Sequence, residues 1–258
     1  MEFQAPQTVA EPPEPANPTR FGVWGPFATV LWSVLIAVVF VLTEFVAMIA
    51  YASLRPNGAA VSAFVRELRF DGGFHAYCTL ASLLVGMSLV LGIVRLKRGS
   101  NSTDYLALRW PPLKQVLLWS LITFGFCLLF DWISLLLHRP MVGRFLLATY
   151  GAVSPSWMLW LVVVTAEPIF EEVCFRGFIF KGLAASRLRW QGAAIITAVL
   201  WTIFYLTFDW YWICLAFGLG LLLGTARAMT NSTLLTMLLH CLINVLATVQ
   251  VAIAARQI

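Results

Sequence analysis

Charged residues are scarce in this sequence. Only 11% of its 258 residues are Asp, Glu, Lys or Arg, whereas 60% are hydrophobic and the mean hydropathy is +0.85. Because a soluble domain carries about 25% charged residues, the composition excludes an ordinary soluble protein and indicates an integral membrane protein with several spans. The net charge of +5 comes from loop lysines and arginines, which suit anionic lipid headgroups. We therefore expect a lipid bilayer as the environment and no nucleic-acid partner.

Cysteine is also uncommon, and its pattern is not that of a disulfide framework. The five cysteines all fall inside apolar segments, and none belongs to a CxxC pair: Cys78, Cys127, Cys174, Cys214 and Cys241. An odd number of thiols in such segments is typical of small packing residues.

The first twenty residues lack a long apolar run. They are rich in Pro, Glu and Gln, and they have neither the basic nor the apolar region of a cleaved signal peptide. We expect a disordered cytoplasmic tail over residues 1–22, followed by a single transmembrane domain over residues 23–258.

Long apolar stretches fill most of the chain. Seven of them can cross the hydrocarbon core, which is roughly 30 Å thick and takes about 20 helical residues. They lie at residues 26–53, 74–96, 113–137, 155–181, 191–208, 211–227 and 232–254. A short interfacial helix between Arg66 and Gly73 would add an eighth element. We predict an all-α fold, a polytopic transmembrane helical bundle with about seven or eight membrane helices.

The sixth span has a small residue at every fourth position: Ala216, Gly220, Gly224 and Ala228. Such rows let helix backbones approach closely in lipid. The row predicts tight packing and implies no chemistry.

Basic residues are divided unevenly between the loops on the two sides of the predicted bundle. Ten lysines and arginines fall on one side and six on the other. Because the side richer in basic residues is normally cytoplasmic, we predict a cytoplasmic N-terminus. We expect the membrane to be a bacterial inner (plasma) membrane. Glu171 and Glu172 would then lie in the cytoplasmic half of the fourth span.

The fourth span carries three acids and an arginine: Glu167, Glu171, Glu172 and Arg176. Charged side chains inside the hydrocarbon are costly and mark functional sites by default. Residues four apart lie on one helix face, so we expect Glu172 to pair with Arg176. Adjacent residues are about 100° apart around the helix, so Glu171 cannot share that role. We expect Glu171 to face the bundle, with Glu167 above it, as a general base.

Two later spans present polar pairs at the same spacing, Trp201 with Tyr205 and His240 with Asn244. The segment from Glu171 to Arg176, followed by His240-x-x-x-Asn244, resembles the CPBP family, the CAAX prenyl endopeptidases and bacteriocin-processing proteins also called Abi. The family signature is EExxxR, FxxxH and HxxxN, each on its own helix. The resemblance covers roughly residues 100–250.

The second motif departs from the family pattern. Tyr205 lies 34 residues after Glu171 and 35 residues before His240. This register puts Trp201 at the Phe position and Tyr205 at the His position, so the chain has WxxxY in place of FxxxH.

The resemblance implies an intramembrane endopeptidase, a hydrolase that cleaves a peptide bond of a membrane-associated protein or peptide. Glu171 would be the general base that activates water, and Glu172 would be the partner of Arg176. His240 and Asn244 would contribute directly to the catalytic site.

The substituted tyrosine bears on the question of a cofactor. Tyr205 is a poor zinc ligand, and catalytic zinc usually has three good protein ligands. We therefore favour a mechanism without a cofactor, in which Tyr205 donates a hydrogen bond to the oxyanion. A divalent metal such as zinc is the alternative.

Other interpretations stay open at this point. A catalytically inactive, CPBP-like pseudoprotease would bind a partner as a membrane scaffold. A proton-coupled carrier would use Glu44, Glu167 and Glu171, but the sequence has no internal repeat of the kind many transporters show. Glu44 and Asp131 either line the same cavity or bind polar groups between helices.

Overall fold

The computed structural model describes residues 22–53, 71–140, 142–143, 147, 156–206 and 209–256. The expected tail lies outside these ranges except for residue 22. The possible interfacial helix before Gly73 falls mainly on residues 54–70, which also lie outside them.

All regular structure in the described residues is helical, and each of the seven predicted spans overlaps a helix. In chain order the helices are α1 (Pro26–Ser53), α2 (Gly72–Leu96), the short α3 (Ser102–Tyr105), α4 (Leu113–Leu136), α5 (156–184), α6 (Arg189–Thr202), α7 (Trp210–Thr230) and α8 (Thr233–Ala255). Helices α1, α2, α4, α7 and α8 are each long and apolar enough to cross a membrane. The prediction of an all-α polytopic bundle is confirmed.

Several helices begin where a polar side chain can satisfy the free backbone N–H groups. Asp71, Asp209 and Ser232 each accept a hydrogen bond from a backbone N–H two or three residues further on. Asn231 ends α7 in the left-handed conformation, with φ of 48°. These capping residues set the boundaries between the apolar runs.

Helix α5, which carries the acids, is the least regular helix. Its backbone is α-helical over Ser156–Leu161, π-helical over Val162–Ala166, α-helical over Glu167–Glu172, π-helical over Val173–Ile179 and α-helical over Phe180–Ala184. In the π segments the N–H donates to the carbonyl five residues back, as Glu167 does to Val162. Such segments within α-helices are frequent at functional sites, and here they flank the acidic stretch on both sides.

Helices α6 and α7 approach each other through the row of small residues. A Cβ atom added at Gly220 would lie 2.9 Å from Ala198 Cβ, and one added at Gly224 would lie 3.0 Å from Ala194 Cβ. Glycine therefore permits a backbone separation that larger residues would not. This contact fixes α6, and with it the second motif, against the rest of the bundle.

We expect Gly224→Val to destabilise the protein by about 1–3 kcal/mol, because the new side chain would push α6 away from α7. The measurement is the thermal unfolding midpoint of the purified protein in detergent. Gly125→Val is the matched control, since a Cβ at Gly125 on α4 would meet nothing within 4 Å. Equal midpoints for the two variants would contradict the packing argument.

Candidate active site

Glu172 and Arg176 form a fully buried ion pair within α5. Arg176 Nη1 donates to Glu172 Oε1 over 2.9 Å, and both side chains are 0% exposed. Arg176 Nη2 also donates to the carbonyl oxygen of Gly220 over 3.1 Å, which connects α5 to α7. The pairing expected from the four-residue spacing is present. These hydrogen bonds offset part of the cost of burying the two charges.

His240 reaches the same carboxylate from α8. Its Nδ1 lies 3.0 Å from Glu172 Oε1, and the residue is 3% exposed. Because an ionised carboxylate only accepts hydrogen bonds, we assign the proton to Nδ1. In the neutral ring, Nε2 then carries a lone pair. Nε2 lies 3.9 Å from Glu171 Oε2, so Glu172 turns the acceptor side of the imidazole towards the neighbouring acid.

Glu171 is the accessible member of the acidic pair. Its side chain is 28% exposed, whereas that of Glu172 is 0% exposed. Its Oε2 accepts a hydrogen bond from Trp201 Nε1 over 2.6 Å. A water molecule can bridge two polar atoms that are 3.9 Å apart, and Glu171 Oε2 and His240 Nε2 are at that separation. The two adjacent acids therefore have different surroundings, as their angular separation predicts.

Trp201 lies at the centre of this cluster, and the sequence analysis did not include it among the site residues. It is 2% exposed. Its ring centroid lies 5.3 Å from that of His240 and 5.3 Å from that of Tyr205, and the Arg176 guanidinium carbon lies 5.3 Å from it. The signal that could have found it is the indole N–H, which needs a hydrogen-bond partner when it is buried in a bundle.

Tyr205 ends the second motif beside the cluster. It belongs to the 3₁₀ turn Ile203–Tyr205 that follows α6, and it is partly buried. Glu171 and Glu167 both lie within electrostatic range of it. The tyrosine at the family's histidine position is therefore near the proposed base, although its role as an oxyanion donor stays a prediction.

Asn244 borders the site from α8. It lies one helical turn after His240, is partly buried, and donates from Nδ2 to the carbonyl oxygen of Val163 over 2.7 Å. Val163 belongs to the first π-helical segment of α5. The amide therefore ties α8 to α5 next to the acids, and a direct contribution of Asn244 to catalysis stays a prediction.

The remaining intramembrane acids divide into two groups. Glu167 lies within electrostatic range of Glu171, His240 and Glu44, so it belongs to the surroundings of the site. Asp131 lies on α4 and accepts a hydrogen bond from Gln250 Nε2 on α8 over 2.8 Å. For Asp131 the structure favours the interhelical contact over a place in the acidic cluster.

Catalytic zinc usually takes three good protein ligands. In the part of the chain that the structure describes, no group of three or more His, Cys, Asp or Glu side chains is placed to hold a metal. The contact of His240 Nδ1 with Glu172 leaves Nε2 as the ring nitrogen that could bind a metal. His240 Nε2 and Glu171 Oε2 supply two nearby donors, which is one short of that set.

Comparison with known proteins finds one family similar to part of this chain. The family model described as type II CAAX prenyl endopeptidase Rce1-like matches residues 153–246. The matched segment includes every residue that the sequence analysis assigned to the site. No curated protein and no solved structure matches the chain.

The match defines the class of protein first: an integral, multi-pass membrane protein of a protease type. Although the model covers about a third of the chain, the matched part holds the first and third motifs with the spacing of the family signature. Over this segment the chain is similar to the type II CAAX prenyl endopeptidases.

We expect Arg176→Met to destabilise the protein by about 3–5 kcal/mol, because it leaves the Glu172 carboxylate as an uncompensated buried charge. The double variant Glu172→Gln with Arg176→Met should recover part of that loss. Unfolding of the purified protein in detergent measures both effects.

Arg109→Met is the matched control for this experiment. Arg109 Nη2 lies 3.2 Å from Asp104 Oδ1, but the two side chains are 49% and 72% exposed. An exposed pair contributes less than about 1 kcal/mol. A loss at Arg176 no larger than the loss at Arg109 would show that the buried pair does not hold the helices together.

Proposed function

We propose that this protein is an intramembrane endopeptidase that hydrolyses a peptide bond of a membrane-associated protein or peptide, with Glu171 activating the water. One observation carries the proposal. The partly exposed Glu171 places Oε2 3.9 Å from His240 Nε2, within the reach of a single bridging water. The match to a family of CAAX-protease-like enzymes supports the same reaction class.

The proposed reaction needs one water molecule and two proton transfers. Glu171 accepts a proton from the water while the water oxygen bonds to the scissile carbonyl carbon. His240 Nε2 holds the same water by accepting its second hydrogen bond. Glu171 then returns the proton to the leaving nitrogen as the carbon–nitrogen bond breaks, so that one carboxylate acts as base and then as acid.

Other side chains at the site support these steps. The Tyr205 hydroxyl donates to the oxyanion that forms on the carbonyl oxygen, which is the kind of contact that stabilises acyl-transfer transition states. Glu172, neutralised by Arg176, keeps His240 in the tautomer whose Nε2 accepts. Asn244 keeps the adjoining wall of α5 in place through Val163. Neither Glu172 nor Arg176 is exposed, so their contribution is to orient and not to touch the substrate.

A catalytically inactive scaffold is the second candidate function, and the second motif favours it. Tyr205 stands where the family signature has a histidine. Among the described residues, His240 is therefore the one histidine beside Glu171, whereas the signature has two. A pseudoprotease would bind a membrane partner through the same residues without cleaving it.

We propose a bacterial inner (plasma) membrane as the location, with the N-terminus on the cytoplasmic side. The excess of lysine and arginine in the loops on that side supports this orientation. The acidic pair would then act near the cytoplasmic surface of the membrane.

We expect Glu171→Gln to lower the rate of peptide cleavage at least about 100-fold, because an amide cannot accept the proton from water. The assay uses proteoliposomes containing a set of single-span peptides, with products identified by mass spectrometry. Asp131→Asn, which alters an intramembrane acid paired with Gln250, should cleave as the wild type does. Equal cleavage by wild type and Glu171→Gln would reject the proposed base.

Tyr205→Phe distinguishes the enzyme from the scaffold. Loss of a single oxyanion donor should lower kcat roughly 100-fold in the same assay, while the yield and thermal midpoint of the protein stay close to those of the wild type. A scaffold would bind the peptides equally well with either residue. Unchanged kcat in an active enzyme would remove Tyr205 from the mechanism.

A further inference from the structure

We infer that Trp201 is a positioning residue of this site: its indole N–H holds Glu171 Oε2 in the orientation that faces His240. The inference rests on the proposed role of Glu171 as the base. It assigns a task to a residue that the family signature would treat as a packing position.

The hydrogen bond itself is the first support. The distance from Trp201 Nε1 to Glu171 Oε2 is 2.6 Å, which is at the short end even for bonds to an ionised acceptor. An indole N–H can only donate, so this oxygen must be accepting. A carboxylate oxygen has a second lone pair, and that lone pair is left for the water between Glu171 and His240.

The donor is itself held in place by its surroundings. Trp201 is 2% exposed, its ring meets that of His240 edge-on at 88°, and the Arg176 guanidinium carbon lies 5.3 Å from the ring centroid. A cation at this distance from an indole is attracted to it. Trp201 thus contacts both Arg176, the partner of the buried Glu172, and the partly exposed Glu171.

A second tryptophan, the partly buried Trp24, makes a hydrogen bond to a backbone carbonyl group only. Trp24 Nε1 donates over 3.1 Å to the backbone carbonyl oxygen of Ile93. That bond fixes the start of α1 to α2 and involves no ionisable group. Trp201 differs because its acceptor is a carboxylate that also faces a histidine.

The two unusual residues of the second motif, Trp201 and Tyr205, can be understood together. The chain has WxxxY, so a strong donor stands at the first position of the motif, and tyrosine stands at the fourth. The rings of Trp201 and Tyr205 lie 5.3 Å apart. The site therefore obtains its contact with Glu171 from the residue one helical turn before the position at which the family has histidine.

The test is Trp201→Phe, which keeps an aromatic ring beside His240 and removes the N–H. We expect kcat in the proteoliposome assay to fall between about tenfold and 100-fold, the range for loss of a hydrogen bond to a charged group. KM should change less than about twofold, because a positioning residue acts after the substrate is bound. Trp24→Phe is the matched control and should leave both constants unchanged.

A second readout needs no substrate. A hydrophobic carbodiimide labels intramembrane carboxyl groups, and peptide mass spectrometry gives the labelling rate at Glu171. We expect that rate to rise at least about threefold in Trp201→Phe, since the indole no longer covers and bonds Oε2, and to stay constant in Trp24→Phe. Where the phenylalanine variant does not purify as a folded protein, benzothienylalanine at position 201 keeps the bicyclic shape and removes the N–H.

The two readouts separate the possible failures. Equal labelling in wild type and Trp201→Phe would overturn the inference, and so would faster labelling with unchanged kcat. A wild-type protein that cleaves nothing would instead reject the proposed function, while the labelling rates would still decide whether Trp201 holds Glu171.

Discussion

The site depends on one buried carboxylate, that of Glu172. Its Oε1 accepts hydrogen bonds from Arg176 over 2.9 Å and from His240 over 3.0 Å. An unpaired carboxylate in this setting would be very costly. Arg176 reaches it from within α5, whereas the contact with His240 holds only while α8 keeps its register against α5. The second nitrogen of Arg176 reaches Gly220, and Arg227 Nε donates to the Arg176 carbonyl oxygen over 3.0 Å. The need to satisfy a single anion thereby fixes three helices.

The irregular backbone of α5 is part of the same arrangement. A π-helical segment hydrogen-bonds five residues back, so it changes the direction in which the following side chains point. Two such segments, Val162–Ala166 and Val173–Ile179, lie on either side of the acids. The carbonyl oxygen of Val163 in the first segment accepts a hydrogen bond from Asn244 on α8. A backbone distortion inside a membrane persists when neighbouring helices supply such partners.

The sequence alone predicted where the helices lie and one contact of the site, the bond between Glu172 and Arg176. The two predictions rest on different physical grounds. Apolar length alone decides where a chain can cross a bilayer, which is why all seven spans overlap helices. The bond between Glu172 and Arg176 is local, so a four-residue spacing predicts it. The contact of Trp201 with Glu171 and that of Asn244 with Val163 join different helices. They depend on how each helix is rotated against its neighbour, and that rotation cannot be read from the spacing of residues in a single sequence.

The tyrosine at the histidine position of the second motif can be interpreted from the hydrogen-bond donors to Glu171 and Glu172. Glu172 is held by both a guanidinium and an imidazole, so the proposed mechanism gives the mobile proton to Glu171 and not to Glu172. The donor that the structure gives Glu171 is an indole, which neither takes nor releases a proton near neutral pH. An indole can therefore fix the carboxylate without competing for the proton that a base must move. With WxxxY in place of FxxxH, the side chain that holds Glu171 in this protein is Trp201, and this contact is compatible with the roles proposed for the two glutamates.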